Sequence, residues 1–264
     1  MSKTMPQLSE RQIHGILFDK DGTLFDFHRT WSSVVTKAAA LASGGDEKLG
    51  RILLEAGGFD PRTCRFQADS VIAAGHAGEL AELWRGLGAV LPLDDLRGRL
   101  DALFAEEALI SAVPVTDLSP LFKRLSRFGL RLGIATNDSE ASALATVERY
   151  ALKEFVGFVA GYDSGYGVKP GPGMALAFCE AVNLPPRHVA VVGDSGHDMA
   201  MGRSAEVRLC VGVLTGAGTM TSLASQADVV LPDITGLLEL LDEQSVQKPQ
   251  VQGAIRHLLE NLVP

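Results

Sequence analysis

Ile13-His14-Gly15-Ile16-Leu17-Phe18-Asp19-Lys20-Asp21-Gly22-Thr23 decides how the rest of the chain is read. A short run rich in apolar β-formers stops abruptly at two acids and a glycine, the pattern of a buried strand that empties into a loop. If extended geometry persists past Phe18, Asp19 and Asp21 point to one face and Lys20 to the other. Two carboxylates forced together at a strand end repel, and the pKa of one rises unless a cation lies between them.

The same theme recurs further along. The run 130–136 (LRLGIAT) precedes Asn137-Asp138, 156–161 (VGFVAG) precedes Tyr162-Asp163, and 188–193 (HVAVVG) precedes Asp194; apolar runs at 207–213 and 228–231 follow. Between them, Leu118, Leu121, Phe122, Leu125 and Phe128 keep helical spacing, with Gly129 placed to end the helix. Helices also fit 139–151, 171–183 and 197–206. Strand–helix alternation over 112–240, added to the first strand, predicts an α/β fold with a Rossmann-like, doubly wound parallel sheet. Such sheets bind ligands at the carboxyl ends of their strands.

Residues 26–111 break the alternation. Helix-like segments lie near 28–43, 46–56, 77–88 and 94–110, separated by Gly44-Gly45, Gly57-Gly58 and Leu91-Pro92, with no convincing strand. The expected organisation is an α/β core formed by 1–25 and 112–241, an inserted all-helical cap domain at 26–111, and a polar tail at 242–264 with a short helix over 251–262.

Composition limits the function classes. A chain of 264 residues with 46% hydrophobic and 21% charged residues can bury a full core and is not a low-complexity or disordered chain. A net charge of −8 removes the basic footprint of a nucleic-acid binder, so any anion must be held by local charge. Cys64, Cys179 and Cys210 have neither zinc nor thioredoxin-like spacing and read as reduced thiols. The polar N-terminus lacks a signal-peptide core, and no stretch is long and apolar enough to span a membrane. The expected location is the cytoplasm, without nucleic-acid or membrane partners.

The chemistry-bearing residues sit at the strand ends. Asp194 and Asp198, in 193–198 (GDSGHD), would join Asp19 and Asp21 if the sheet brings these loops together. Such a cluster calls for a hard cation, and Mg²⁺ suits a few carboxylates completed by water and phosphate oxygens. Asp198 alternatively caps the helix 197–206. Thr136, Asn137 and Lys169 supply hydroxyl, amide and ammonium groups fit to cradle a phosphoryl group. His197 reads as a loop side chain, because Mg²⁺ prefers oxygen. His28, Arg29, Arg62 and Arg65 could touch substrate or lie on helix surfaces. Trp31 and Trp84 read as cap core, and the glycine-rich 214–218 as a tight strand-to-helix loop.

FDKDGTL (18–24), ATND (135–138), VKP (168–170) and GDSGHD (193–198), in this order, resemble the four motifs of the haloacid dehalogenase-like hydrolases. The insertion resembles the helical-cap subgroup that includes phosphoglycolate phosphatases and β-phosphoglucomutases. The resemblance implies that Asp19 is a nucleophile forming an aspartyl-phosphate and that Asp21 is the general acid and then base. It also implies that Thr136 and Lys169 hold the phosphoryl group, and that Asp194, with Asp198, holds Mg²⁺ beside Asp19 and the carbonyl of Asp21. Dehalogenases of the family lack the second Asp, so Asp21 favours phosphoryl transfer. The implied activity is Mg²⁺-dependent hydrolysis of a small phosphorylated metabolite, phosphoglycolate first, by a monomer or homodimer. The alternatives are a phosphomutase that keeps water from the aspartyl-phosphate, or a receiver-like signalling module. Receivers are shorter, have a contiguous acidic pair and lack the helical insertion.

Overall fold

The computed structural model describes residues 13–245. After β1 (Gly15–Phe18) comes a helical block of α1 (Phe27–Ala42), α2 (Glu47–Ala56), α3 (Val71–Ala74), α4 (Ala77–Gly86) and α5 (Leu93–Ser111). A two-stranded antiparallel ladder, β2 (Phe59–Asp60) with β3 (Arg65–Phe66), lies between α2 and α3. The alternating part then runs through α6 (Leu118–Arg127), β4 (Arg131–Ala135), α7 (Glu140–Arg149), β5 (Val156–Ala160), α8 (Gly173–Ala181) and β6 (Val189–Gly193). It closes with α9 (Gly196–Ser204), β7 (Leu209–Val213), α10 (Met220–Ala224), β8 (Val229–Leu231) and α11 (Leu237–Ser245).

Six strands form one parallel sheet in the order β5-β4-β1-β6-β7-β8. The chain builds outward from β1 on one side, then crosses over and builds outward on the other. The reversal falls between β1 and β6, which opens a crevice beyond their carboxyl ends. The apolar runs are continuous because both faces are covered. Ile16, Phe18, Ala190, Val192, Val211 and Val213 pack on the face that carries α6, α7 and α11. Leu17, Val189, Val191 and Cys210 alternate to the face that carries α8, α9 and α10.

The helical block has its own apolar cluster, centred on Trp31, Val34, Val35, Leu53, Leu80, Trp84 and Leu100. Asp26 and Asp46 accept backbone N–H bonds that start α1 and α2, and His76 with Glu79 forms a capping box on α4. The β2–β3 ladder interrupts the helices expected here. Phe59 and Phe66 are buried while Arg65 is exposed, but two-residue strands are too short to display a period-two pattern. Helix α11 runs past residue 241, where the sequence reading begins the tail; the helix read at 251–262 lies outside the described residues.

Trp84 is fully buried, and its Nε1 donates to the Leu53 carbonyl at 2.8 Å, tying α4 to α2. Trp84→Phe should therefore lower unfolding free energy by about 1–3 kcal/mol, from the lost hydrogen bond and ring volume. Urea unfolding measures this; a change near zero would show that the indole is not a tie in that cluster.

Candidate active site

Strand register sets the site. Phe18 lies beside Ile134 on one side and Val192 on the other, so Asp19, Thr136 and Asp194 emerge at neighbouring strand ends. The Asp19 N–H donates to the Val192 carbonyl at 2.8 Å and extends the ladder by one residue. Lys169 reaches in from the loop after β5. Its Nζ donates to Asp19 Oδ1 and to Asp198 Oδ1, each at 2.6 Å, and all three residues are buried.

Of the two readings of Asp198, the structure shows the helix cap, together with an ion pair to Lys169 that the sequence did not signal. The carboxylate completes a capping box on α9, its Oδ2 accepting from Ser195 N–H at 3.1 Å and from Ser195 Oγ at 2.6 Å. With both oxygens engaged, its part in the cluster is to hold Lys169 and the helix start. Asp194 Oδ2 accepts from the Ala217 N–H at 3.0 Å, within the glycine-rich loop after β7. That loop closes tightly: a Cβ on Gly216 would lie 1.7 Å from Asp194 Oδ2. Gly22, at φ +85°, approaches from the other side, where a Cβ would meet the same carboxylate at 2.5 Å. The run 214–218 is thus a seat for Asp194.

Oxygens of Asp19, Asp194 and Asp198 lie within 4.8 Å of one another. The set holds only hard oxygen donors, and three buried carboxylates face one ammonium, so the residual negative charge suits a divalent cation of the Mg²⁺ type. His197 stays out of this set; its Nδ1 lies 3.0 Å from the Ala74 carbonyl.

Lys20 has partners that the sequence reading did not give it. Lys20 stays out of the cavity lining, as expected, but it is not a free surface lysine. It is buried, with Nζ at 2.5 Å from Asp21 Oδ2 and 3.0 Å from Asp138 Oδ2. Asp21 is therefore held from behind through an ammonium that also ties it to the loop after β4. Asp138 was read only as a strand-end acid; nothing in its spacing marks it as a partner of Lys20.

Thr136 is buried on the cavity, and its Oγ1 accepts from the Asp138 N–H at 3.0 Å, which leaves the hydroxyl proton for donation. Asn137 differs from the phosphate-binding role expected of its amide. Both Nδ2 hydrogens are engaged, with the Ala74 carbonyl at 2.8 Å and the Lys169 carbonyl at 3.2 Å, and Oδ1 accepts from Lys169 N–H at 3.0 Å. The side chain shapes the lysine loop.

The helical block covers this crevice and is tied to it by polar bridges without sequence signature. Asp69 Oδ1 accepts from the Gly196 N–H at 2.7 Å, and Tyr162 donates its hydroxyl to Asp101 Oδ2 at 2.9 Å. The resulting cavity is lined by the acids, Lys169 and Thr136 below, and by residues of α1, α3, α4 and α5 above. Trp31 is both block core and cavity wall. His28, Arg29, Arg62 and Arg65 do not line it.

Burial pushes the Asp19 carboxyl up to about 7, with Asp198 and Asp21 adding to the rise and Lys169 opposing it. Burial, then Asp19 and Asp198, likewise raise Asp194. Lys169 is raised as well: burial alone would lower it, but Asp19 and Asp198 more than compensate. A carboxyl raised in the folded state stabilises the fold at low pH and loses that contribution as pH climbs from about 4 in the unfolded chain to about 7 in the folded one. A divalent cation would replace the missing proton. Added Mg²⁺ should therefore raise Tm more at about pH 7.5 than at about pH 5.5. Calorimetry on metal-stripped protein measures this, and a shift equal at both pH values would contradict the reading.

Residues 13–206 match the family of haloacid dehalogenase-like hydrolases. A phosphoglycolate phosphatase of Shigella boydii is 27% identical over 243 residues, covering 87% of this chain and 92% of that protein. One from Chromobacterium violaceum is 30% identical over 112 residues, covering 42% of this chain and 49% of that protein. Among solved structures, CbbY from Rhodobacter sphaeroides in complex with phosphate superposes with a TM-score of 0.65 at 21% identity, covering 88% of this chain and 100% of that one. The parallel sheet, the acids at its strand ends and the match over most of the chain lead to one conclusion: this chain belongs to the haloacid dehalogenase-like hydrolases.

Proposed function

We propose that the chain is a phosphatase that hydrolyses a small-molecule phosphate monoester through an aspartyl-phosphate on Asp19. The observation that carries this reading is the buried Asp19 carboxylate, held at 2.6 Å by Lys169 on one oxygen and facing a cavity shared with Asp21, Thr136 and Asp194. An Asp19 oxygen attacks phosphorus while the bond to the leaving alkoxide breaks, and the Asp21 carboxyl gives that oxygen its proton. Asp21, now a carboxylate, takes a proton from water as the water oxygen attacks the phosphoryl group. Phosphate leaves and Asp19 is restored. Lys169 and the Thr136 hydroxyl stabilise the transferring oxygens. Asp19, Asp194 and the Asp21 carbonyl would hold Mg²⁺, which when bound supplies positive charge against the repulsion between carboxylate and phosphate. The block 26–111 acts as the cap that excludes water.

Phosphoglycolate, which the names of the relatives carry, is the reference ester against which other substrates are compared. A cytoplasmic location accords with three free cysteines and with the absence, among the described residues, of a helix able to cross a membrane.

Two measurements test these roles. Phosphate release from p-nitrophenyl phosphate should require Mg²⁺, stop with EDTA, and fall by roughly 10³-fold or more in Asp19→Asn. Equal release by a folded Asp19→Asn variant would reject Asp19 as nucleophile. Lys20 is a positioning residue for Asp21, so Lys20→Met should lower kcat/KM by about 10- to 100-fold on an alkyl phosphate, whose leaving oxygen needs a proton. The loss should be much smaller on p-nitrophenyl phosphate. Equal losses on both esters would show that Lys20 merely supports the fold.

A further inference from the structure

The upper wall of the cavity is apolar. Phe27, Trp31, Val71, Ile72, Leu80 and Phe104 are drawn from four separate helices of the block and meet over the acids. Among the described residues, the cavity lining contains no arginine and a single lysine, Lys169. That lysine is already bound to Asp19 and Asp198 at the phosphoryl end. The polar groups higher up include one neutral donor, the His76 ring, and no cation. Asp101 is a carboxylate, and Tyr162 donates its hydroxyl to it at 2.9 Å. His76 stacks on Tyr162 with ring centroids 5.1 Å apart, and its Nδ1 accepts from the Gly78 N–H at 3.1 Å. Arg97 lies outside the lining, over the Tyr162 ring at 5.8 Å.

A second anionic group on the substrate would enter this space with Asp101 beside it and no cation in the lining beyond Lys169, the Arg97 guanidinium being already engaged with Tyr162 and Asp101. A buried carboxylate without a partner is strongly disfavoured, whereas an apolar group gains by leaving water. Resting on the phosphatase reading above, we infer that the substrate is a phosphate monoester whose leaving group is uncharged and largely apolar, rather than one ending in a carboxylate such as phosphoglycolate. Asp101 and the apolar wall set this selectivity, and the acids and Lys169 below serve any phosphoryl group.

Phosphoglycolate and isobutyl phosphate form the deciding pair, because a branched CH(CH₃)₂ end replaces the carboxylate at similar size. In the wild type with Mg²⁺, kcat/KM should favour isobutyl phosphate by at least about tenfold. In Asp19→Asn, which retains the upper wall, calorimetry should show tighter binding of isobutyl phosphate than of phosphoglycolate. Asp101→Asn, which still accepts from Tyr162, should move the kcat/KM ratio several-fold toward phosphoglycolate, a change that a merely structural role would not produce. Phosphoglycolate bound or turned over as well as isobutyl phosphate overturns the inference. If the wild type releases phosphate from neither ester, nor from p-nitrophenyl phosphate, the phosphatase reading fails, and the binding comparison in Asp19→Asn still decides what the upper wall accepts.

Discussion

One buried ammonium holds the site together. Lys169 stands 2.6 Å from both Asp19 and Asp198, and without it the carboxylates at the ends of β1 and β6 would repel one another inside the protein. The lysine has to come from a third element, the loop after β5, and Asn137 fixes that loop by bonding both its N–H and its carbonyl. Even so, the charges do not balance. Burial first, and then the neighbouring acids, raise Asp19 and Asp194, and the remaining negative charge is the physical basis for expecting a divalent cation there.

A second ammonium works on the other half of the pair. Lys20 joins Asp21 to Asp138, so the two acids of the first motif are held by two different lysines in two different directions. This separates their environments although they are neighbours in sequence. Asp19 is desolvated among acids, and Asp21 is braced against the loop after β4. On the proposed reading the sheet supplies reaction chemistry, while the helical block, through an apolar wall and the Asp69 and Asp101 bridges, would supply closure and choice of leaving group.

Much of this was legible in the residues. Strands buried on both faces produce unbroken apolar runs, and parallel topology places the residues just after each run in one crevice, so Asp19, Thr136 and Asp194 could be read in advance, whereas Lys169, deep in the loop after β5, was marked by its motif. Two kinds of feature could not. Where regular geometry stops, periodicity no longer gives partners, and Lys20 is buried between Asp21 and Asp138 just past the end of β1. Contacts between the helical block and the core have no periodicity at all. Asp69, Asp101 and Tyr162 are separated from their partners by long stretches of chain, and only the packed structure brings them together. Ser195 and Asp198 lie between these cases, since their three-residue spacing before a helix is a capping-box signature that was partly read.

The most direct measurement is the chemical identity of the covalent intermediate. Wild-type protein mixed with substrate and Mg²⁺ is quenched in acid and treated with borohydride, which reduces an acyl phosphate to an alcohol. Peptide mass spectrometry should then find homoserine at position 19 and aspartate unchanged at positions 21, 194 and 198. Reduction at another of these acids, or no reduction anywhere during demonstrable turnover, would contradict an aspartyl-phosphate on Asp19.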